Sequence, residues 1–165
     1  MKELTESRNK TERLLDYITE HNWGLNGSIR EIVEMIIIPG VKEKMNLLEH
    51  NFNIASPRKE FSDFDGSTLM EVDLLLENCN EVMAVEVKTQ VSRRWVDRHL
   101  KRLELLREKE KITGMSGKTI YAAVAGINFD DDARALAVEN GMYLIEIEEE
   151  SERIKIIPPK TAKKW

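Results

Sequence analysis

The sequence predicts an α/β sandwich around a mixed sheet, and three observations carry that reading. Lys118 to Ile127 is a nearly continuous run of small apolar residues, the pattern of a strand covered on both faces. Glu71 to Glu77 and Glu81 to Thr89 are partly alternating apolar runs joined by Asn78-Cys79-Asn80, whose residue types favour a turn. Stretches with helical periodicity lie before, between and after these runs, so helices and strands alternate along the chain.

Each element follows from local pattern. Residues 1–22 read as a polar helix with a thin apolar stripe of Leu4, Leu14, Leu15 and Ile18, which suits an arm, a coiled-coil end or a dimerisation segment. Trp23-Gly24-Leu25-Asn26-Gly27 breaks it. Ser28 is placed to cap a helix from Ile29, with Ile29, Ile32, Val33, Ile36 and Ile37 as a wide buried stripe. Pro39-Gly40 ends or kinks this helix, and Val41 to Glu49 continues helically. Residues 52–62 form a first strand, irregular around Pro57.

In the hairpin, alternation puts Val72, Leu74 and Leu76 on one face. In its second strand Val85 and Val87 point one way, and Glu86, Lys88 and Gln90 the other. Ser92 caps a helix reaching about Lys111, with Val96, Leu100, Leu103 and Leu106 as its core stripe. Gly114 to Gly117 is a loop, Asp130 caps a helix through Asn140, Gly141 closes it, and Met142 to Ile147 is a last buried strand. The expected organisation is an arm (1–22), one domain (23–157) and a basic C-terminal tail (158–165).

Composition bounds the function. At 165 residues, with 41% hydrophobic and 33% charged, the chain has enough apolar residues for a core and a heavily charged surface, which excludes a disordered polymer. No apolar run approaches the roughly 20 residues that span a bilayer, and the N-terminus lacks the apolar stretch of a secretory signal. The single cysteine, Cys79, has no internal disulfide partner, so a cytoplasmic location and no membrane partner are expected. The net charge of −5 hides a contrast. From Lys88 to Lys111 nine basic residues face four acidic ones, locally +5, whereas Asp130 to Glu152 holds nine acids and one arginine, locally −8. A basic face is compatible with an acidic total.

Alternation also concentrates chemistry. Asp73 lies opposite the apolar face of its strand, and Glu86 and Lys88 share the polar face of the next. A hairpin brings these faces to the same side, so an Asp, a Glu and a Lys converge. Two carboxylates offer oxygen ligands to a hard cation such as Mg²⁺ or Mn²⁺. A lysine beside them orients a water and offsets charge building on a phosphate. Lys88 is the one lysine in the sequence with an acid two positions before it. In the following helix Arg94, Arg98, Lys101 and Arg102 recur at three- and four-residue spacing, with Arg93 beside them, a stripe suited to a phosphate backbone. Gln90 is a further candidate for water or phosphate contact. His21, His50, His99 and Cys79 lack the spacing of a zinc site. His99 is expected to be solvated or half-buried, and Trp23 and Trp95 to serve as packing anchors.

On Trp23-Gly24 to Val41, Glu71-Val72-Asp73, Val85-Glu86-Val87-Lys88-Thr89, the helix Ser92 to Leu106 and the segment Asp130 to Ile147, the sequence resembles the PD-(D/E)XK nuclease superfamily, whose fold is restriction-endonuclease-like. It is most similar to an uncharacterised prokaryotic branch with N-terminal coiled-coil arms. The resemblance implies a metal-binding Asp at Asp73, a Glu at Glu86 and a catalytic lysine at Lys88, with the Val87 carbonyl as a third metal oxygen. It also implies a helix acid, Glu31 or Glu34, with Glu31 preferred. Val72 stands where the motif has its proline. The implied activity is metal-dependent hydrolysis of phosphodiester bonds, in DNA more than in RNA, and the arm at 1–22 makes a homodimer the expected assembly. The alternative is an inactive nuclease-fold module that binds nucleic acid or mediates homodimer assembly.

Overall fold

The computed structural model describes residues 32–148 and 153–165. The expected arm (1–22), its glycine-rich break and the Ser28 cap lie outside the described residues. β1 (Ile54–Ser62), β2 (Thr68–Glu77) and β3 (Glu81–Val87) form an antiparallel meander. β3 continues into a parallel trio with β5 (Thr119–Gly126) and β7 (Tyr143–Ile147), and β8 (Ile154–Ile157) returns antiparallel to β7. The result is one mixed sheet of six strands in the order β1-β2-β3-β5-β7-β8. Two short strands, β4 (Gln90–Val91) and β6 (Asn128–Phe129), pair with each other beside it.

Helices cover both faces, as the alternation of patterns requires. On one lies a π-helical turn (Val33–Ile37) running into α1 (Ile38–Lys44) and a 3₁₀ turn (Met45–Leu48). On the other lie α2 (Arg93–Glu108), the single turn α3 (Glu110–Thr113) and α4 (Asp131–Glu139). β5 divides its side chains between the two layers. Tyr121, Ala123 and Ala125 pack with Ile32, Val33, Ile36 and Ile37, while Ile120, Ala122 and Val124 pack with Val96, Leu103 and Leu106. Each fully buried Leu, Ile or Val contributes about 1.5–3 kcal/mol of transfer free energy, so the sandwich is held chiefly by these two layers.

Several local expectations are corrected. Pro39-Gly40 does not end the helix: Pro39 follows directly on the π-helical turn Val33–Ile37, an irregularity within which a continuous helix accommodates a residue that has no N–H. Gly40 is required for close approach, since a Cβ there would sit 2.6 Å from Ile154 Cγ1. Val72 does not share a face with Leu74 and Leu76. It packs in the α2 layer, and they pack in the α1 layer. The change of face falls at Asp73, opposite Arg58, whose φ of +51° bends β1 in the irregular stretch predicted around Pro57. Along α2, the buried stripe is Val96, His99, Leu103 and Leu106, so His99 takes the place expected of Leu100.

β7 is not the last strand, and residues 158–165 are tied to the sheet. Lys163 donates its N–H to the Gly141 carbonyl (3.1 Å) and Trp165 donates its own to that of Ile120 (3.0 Å). Arg107 Nε holds the Trp165 carbonyl at 3.0 Å. Among the described residues no helix is long and apolar enough to cross a membrane.

Candidate active site

The site forms at the carboxyl end of β3, the end of parallel strands at which α/β sheets hold ligands. Val85 and Val87 face the α1 layer, so Glu86 between them must face α2, where it is 1% exposed. Pairing of β2 with β3 stops at Leu74 and Val85. Just beyond, Asp73 Oδ2 accepts the Val87 N–H at 2.8 Å, standing in for the ladder that has ended. Lys88 lies one residue past β3, and its N–H still bonds the Ala125 carbonyl of β5 at 3.0 Å. Gly126 permits that crossing, because a Cβ there would lie 2.7 Å from the Lys88 carbonyl oxygen and 2.6 Å from Val91 Cγ2.

From this anchored backbone Lys88 reaches both carboxylates. Its Nζ is 3.3 Å from Glu86 Oε1 and 3.8 Å from Asp73 Oδ2. It also lies 4.4 Å from the centre of the Trp95 ring, an arrangement in which the aromatic face attracts the ammonium. Arg98 and Arg94 stand 4.9 and 5.6 Å from the same ring. Trp95, half-buried, is therefore more than a packing anchor: it gathers three cations beside the carboxylates. Arg102 reaches in from α2 and meets Glu86 Oε2 at 2.5 Å.

Burial is the largest influence on Asp73 and the charge of Glu86 the next, and together they push its carboxyl up to about 6. Lys88, the Val87 N–H and Arg102 pull the other way without cancelling them. Beneath the site His99 is 1% exposed, with Nε2 3.1 Å from the Ala84 carbonyl oxygen. Burial lowers its pKa to about 4, so it is neutral at ordinary pH and donates from Nε2 to that carbonyl. The sequence predicts a solvated or half-buried histidine here, and the structure buries it fully. Its spacing in the series 96, 99, 103, 106 is the signal that would have placed it in the core.

The remaining candidates separate. Glu31 lies outside the described residues. Glu34 is exposed and lines a cleft of about 330 Å³ with Pro57, Arg58, Glu60 and Glu71. Gln90 does not follow Glu86 and Lys88: β3 has ended, and Gln90 sits in β4 with Nε2 2.6 Å from Asp130 Oδ1. Arg93, Arg94, Arg98 and Lys101 are exposed on α2. Arg102 leaves that stripe for Glu86, a turn that helical spacing does not distinguish from solvent exposure.

The donor set suits a hard divalent cation. Two carboxylates from adjacent strands stand together, and the buried Glu86 Oε1 accepts no hydrogen bond of good geometry among the described residues, its charged neighbour being Lys88 Nζ at 3.3 Å. Mg²⁺ is commonly held by one or two carboxylates with water completing its shell, so a third acidic side chain is not required. Among the described residues no group of three His, Cys, Asp or Glu is disposed to hold a metal. At the opposite end of the parallel strands, His50 is buried and bonded to the Tyr143 hydroxyl at 2.8 Å, stacked on Phe52 and 3.4 Å from Glu81. That network ties the 3₁₀ turn region to the start of β7.

No protein-family model and no curated protein matches the chain. Among solved structures it is similar to a repair endonuclease from Pyrococcus abyssi, at 16% identity and a TM-score of 0.47, over 70% of this chain and 47% of that one. A protein of unknown function is 17% identical with a TM-score of 0.34, over 66% of this chain and 56% of that one. The small subunit of a heterodimeric restriction endonuclease is 14% identical with a TM-score of 0.34, over 73% and 69%. The chain thus spans about half the length of the first two. These are likenesses of chain arrangement alone.

Proposed function

We propose that the chain is a metal-dependent nuclease of the PD-(D/E)XK, restriction-endonuclease-like kind, hydrolysing phosphodiester bonds in DNA. In this reading Asp73 and Glu86 hold Mg²⁺ or Mn²⁺, with the Val87 carbonyl as a further oxygen. Glu31 supplies an acid from the first helix, with Glu34 the other candidate for that role. The observation that carries it is the reach of one ammonium, Lys88 Nζ, to carboxylates on two adjacent strands at 3.3 and 3.8 Å.

A divalent ion bound there would polarise the phosphate and an attacking water. The chain's own residues supply the rest. Lys88, its backbone held to β5 and its ammonium by Trp95, orients the water and offsets charge gathering on the phosphate. Arg93, Arg94, Arg98 and Lys101 present a cationic face along α2 for the nucleic-acid backbone, with no part in reading bases. A homodimer built on the arm, and a reducing cytoplasmic compartment suited to the free, exposed Cys79, complete the reading.

The test is cleavage of labelled duplex, branched and single-stranded DNA, with RNA counterparts, in Mg²⁺ or Mn²⁺, comparing the parent chain with Lys88→Ala. Cleavage lost in the variant supports the reading. Absence of cleavage on every substrate overturns it.

The Arg102–Glu86 ion pair favours a second reading, in which the fold binds nucleic acid or assembles as a homodimer without cutting. That module would bind DNA in a salt-sensitive way, lose binding on changing Arg94, Arg98 and Arg102, and be indifferent to Asp73→Ala.

A further inference from the structure

The carboxylate pair already carries its own counter-ions. Asp73 and Glu86 face Lys88 and Arg102, two negative groups against two positive ones. Glu86 is 1% exposed, and a carboxylate so buried costs several kcal/mol unless paired. Arg102 supplies that pairing at Oε2, while its own side chain keeps 29% exposure and so has a path to solvent. A divalent cation entering here brings two more positive charges. The cluster tolerates them only if a cation leaves or an anion arrives. In the proposed reaction that anion is the phosphodiester.

We propose that Arg102 is an exchangeable counter-ion. It holds Glu86 in the metal-free chain and transfers to the substrate phosphate when an ion takes the carboxylate, so metal and nucleic acid bind cooperatively. The inference rests on the reading of Asp73 and Glu86 as metal carboxylates. A guanidinium suits both stations, because its planar fork matches carboxylate and phosphate alike. Arg102 starts beside the exposed Arg98 and Lys101 on α2, so the move is from the inner edge of the basic face onto it. Coupling of this kind is reciprocal: whatever factor DNA adds to metal affinity, metal adds to DNA affinity.

The experiment is titration calorimetry of the full chain with MnCl₂, alone and with a short phosphorothioate duplex that resists cleavage. Parent, Arg102→Met and Glu86→Gln are compared, each checked for folding by circular dichroism. The parent should bind Mn²⁺ weakly alone and about tenfold or more tightly with duplex. Arg102→Met should bind Mn²⁺ about tenfold more tightly than the parent without duplex and gain little from adding it. Should Arg102→Met fail to fold, Arg102→Lys, which keeps the charge but loses the fork, should give an intermediate affinity. Equal Mn²⁺ affinities in parent and Arg102 variant, with binding lost in Glu86→Gln, would overturn the exchange while the metal reading stands. No Mn²⁺ binding by any chain, with or without duplex, would overturn the metal reading and the exchange with it.

Discussion

Replacing Asp73 with Asn should stabilise the metal-free chain at pH 8 and leave it nearly unchanged at pH 4. Burial and the neighbouring Glu86 raise the Asp73 carboxyl from 3.8 to about 6 in the folded chain. Between those values the unfolded chain has released its proton while the folded chain still holds it. Stability is therefore lost as pH rises across this window, and the loss is complete above about 6. The gap of roughly 2 in pKa, at about 1.36 kcal/mol each, amounts to about 3 kcal/mol. That is an upper figure, because the side chain retains 19% exposure. Asn is neutral throughout and still offers an oxygen to the Val87 N–H, so the isosteric change removes the charge and keeps the bond. Urea unfolding in EDTA at the two pH values measures the difference, and at about 2–4 °C per kcal/mol it is also visible in Tm. An Asn variant offset equally at both pH values, or less stable than its parent at pH 8, would refute the reasoning.

His99 acts with the opposite sign. Its pKa falls from 6.5 to about 4 on folding, so the stability it supports is present above 6.5 and lost as pH falls toward 4. His99→Gln, which keeps a donor for the Ala84 carbonyl, should flatten that acid limb by up to about 3 kcal/mol in urea titrations run across pH 4–7. Gly126→Ala should cost about 1–3 kcal/mol by denaturant unfolding, since its Cβ would meet the Lys88 carbonyl at 2.7 Å, and should lower any metal-dependent cleavage through displacement of Lys88. Leu103→Ala, at a fully buried position under β3 and β5, should cost about 2–5 kcal/mol in the same assay.

What was legible in the sequence was what strict periodicity controls. The small-residue run of β5 announced a strand covered twice, and the alternation Val85-Glu86-Val87 put Glu86 opposite its neighbours. The hairpin at Asn78-Cys79-Asn80 then brought Asp73 within reach of Lys88. What was not legible depended on breaks in periodicity. A single left-handed residue, Arg58, accompanies the change of face at Asp73 that separates Val72 from Leu74, and nothing in the alternation of β2 reports it. The end of β3 before Gln90 coincides with the close approach of the Lys88 carbonyl to Gly126, 38 positions further along the chain. Arg102 looked like its basic neighbours because helical spacing locates a side chain around the axis but does not tell whether it bends toward a buried acid. β8 was missed because its short, amphipathic Ile154-Lys155-Ile156-Ile157 segment becomes a strand by pairing with β7 rather than by its own pattern.

Asp73, Glu86, Lys88 and Arg102 all come from one segment of 30 residues. That locality has a kinetic consequence. A hairpin closes in about 1–10 μs, and a helix that follows it directly in sequence closes only a short loop to dock. Contacts of such low sequence separation form early in folding, before the pairing of β3 with β5, whose partners such as Val85 and Ala123 are far apart along the chain. Weakening the β3–β5 pairing should therefore speed unfolding more than it slows the approach to a formed site.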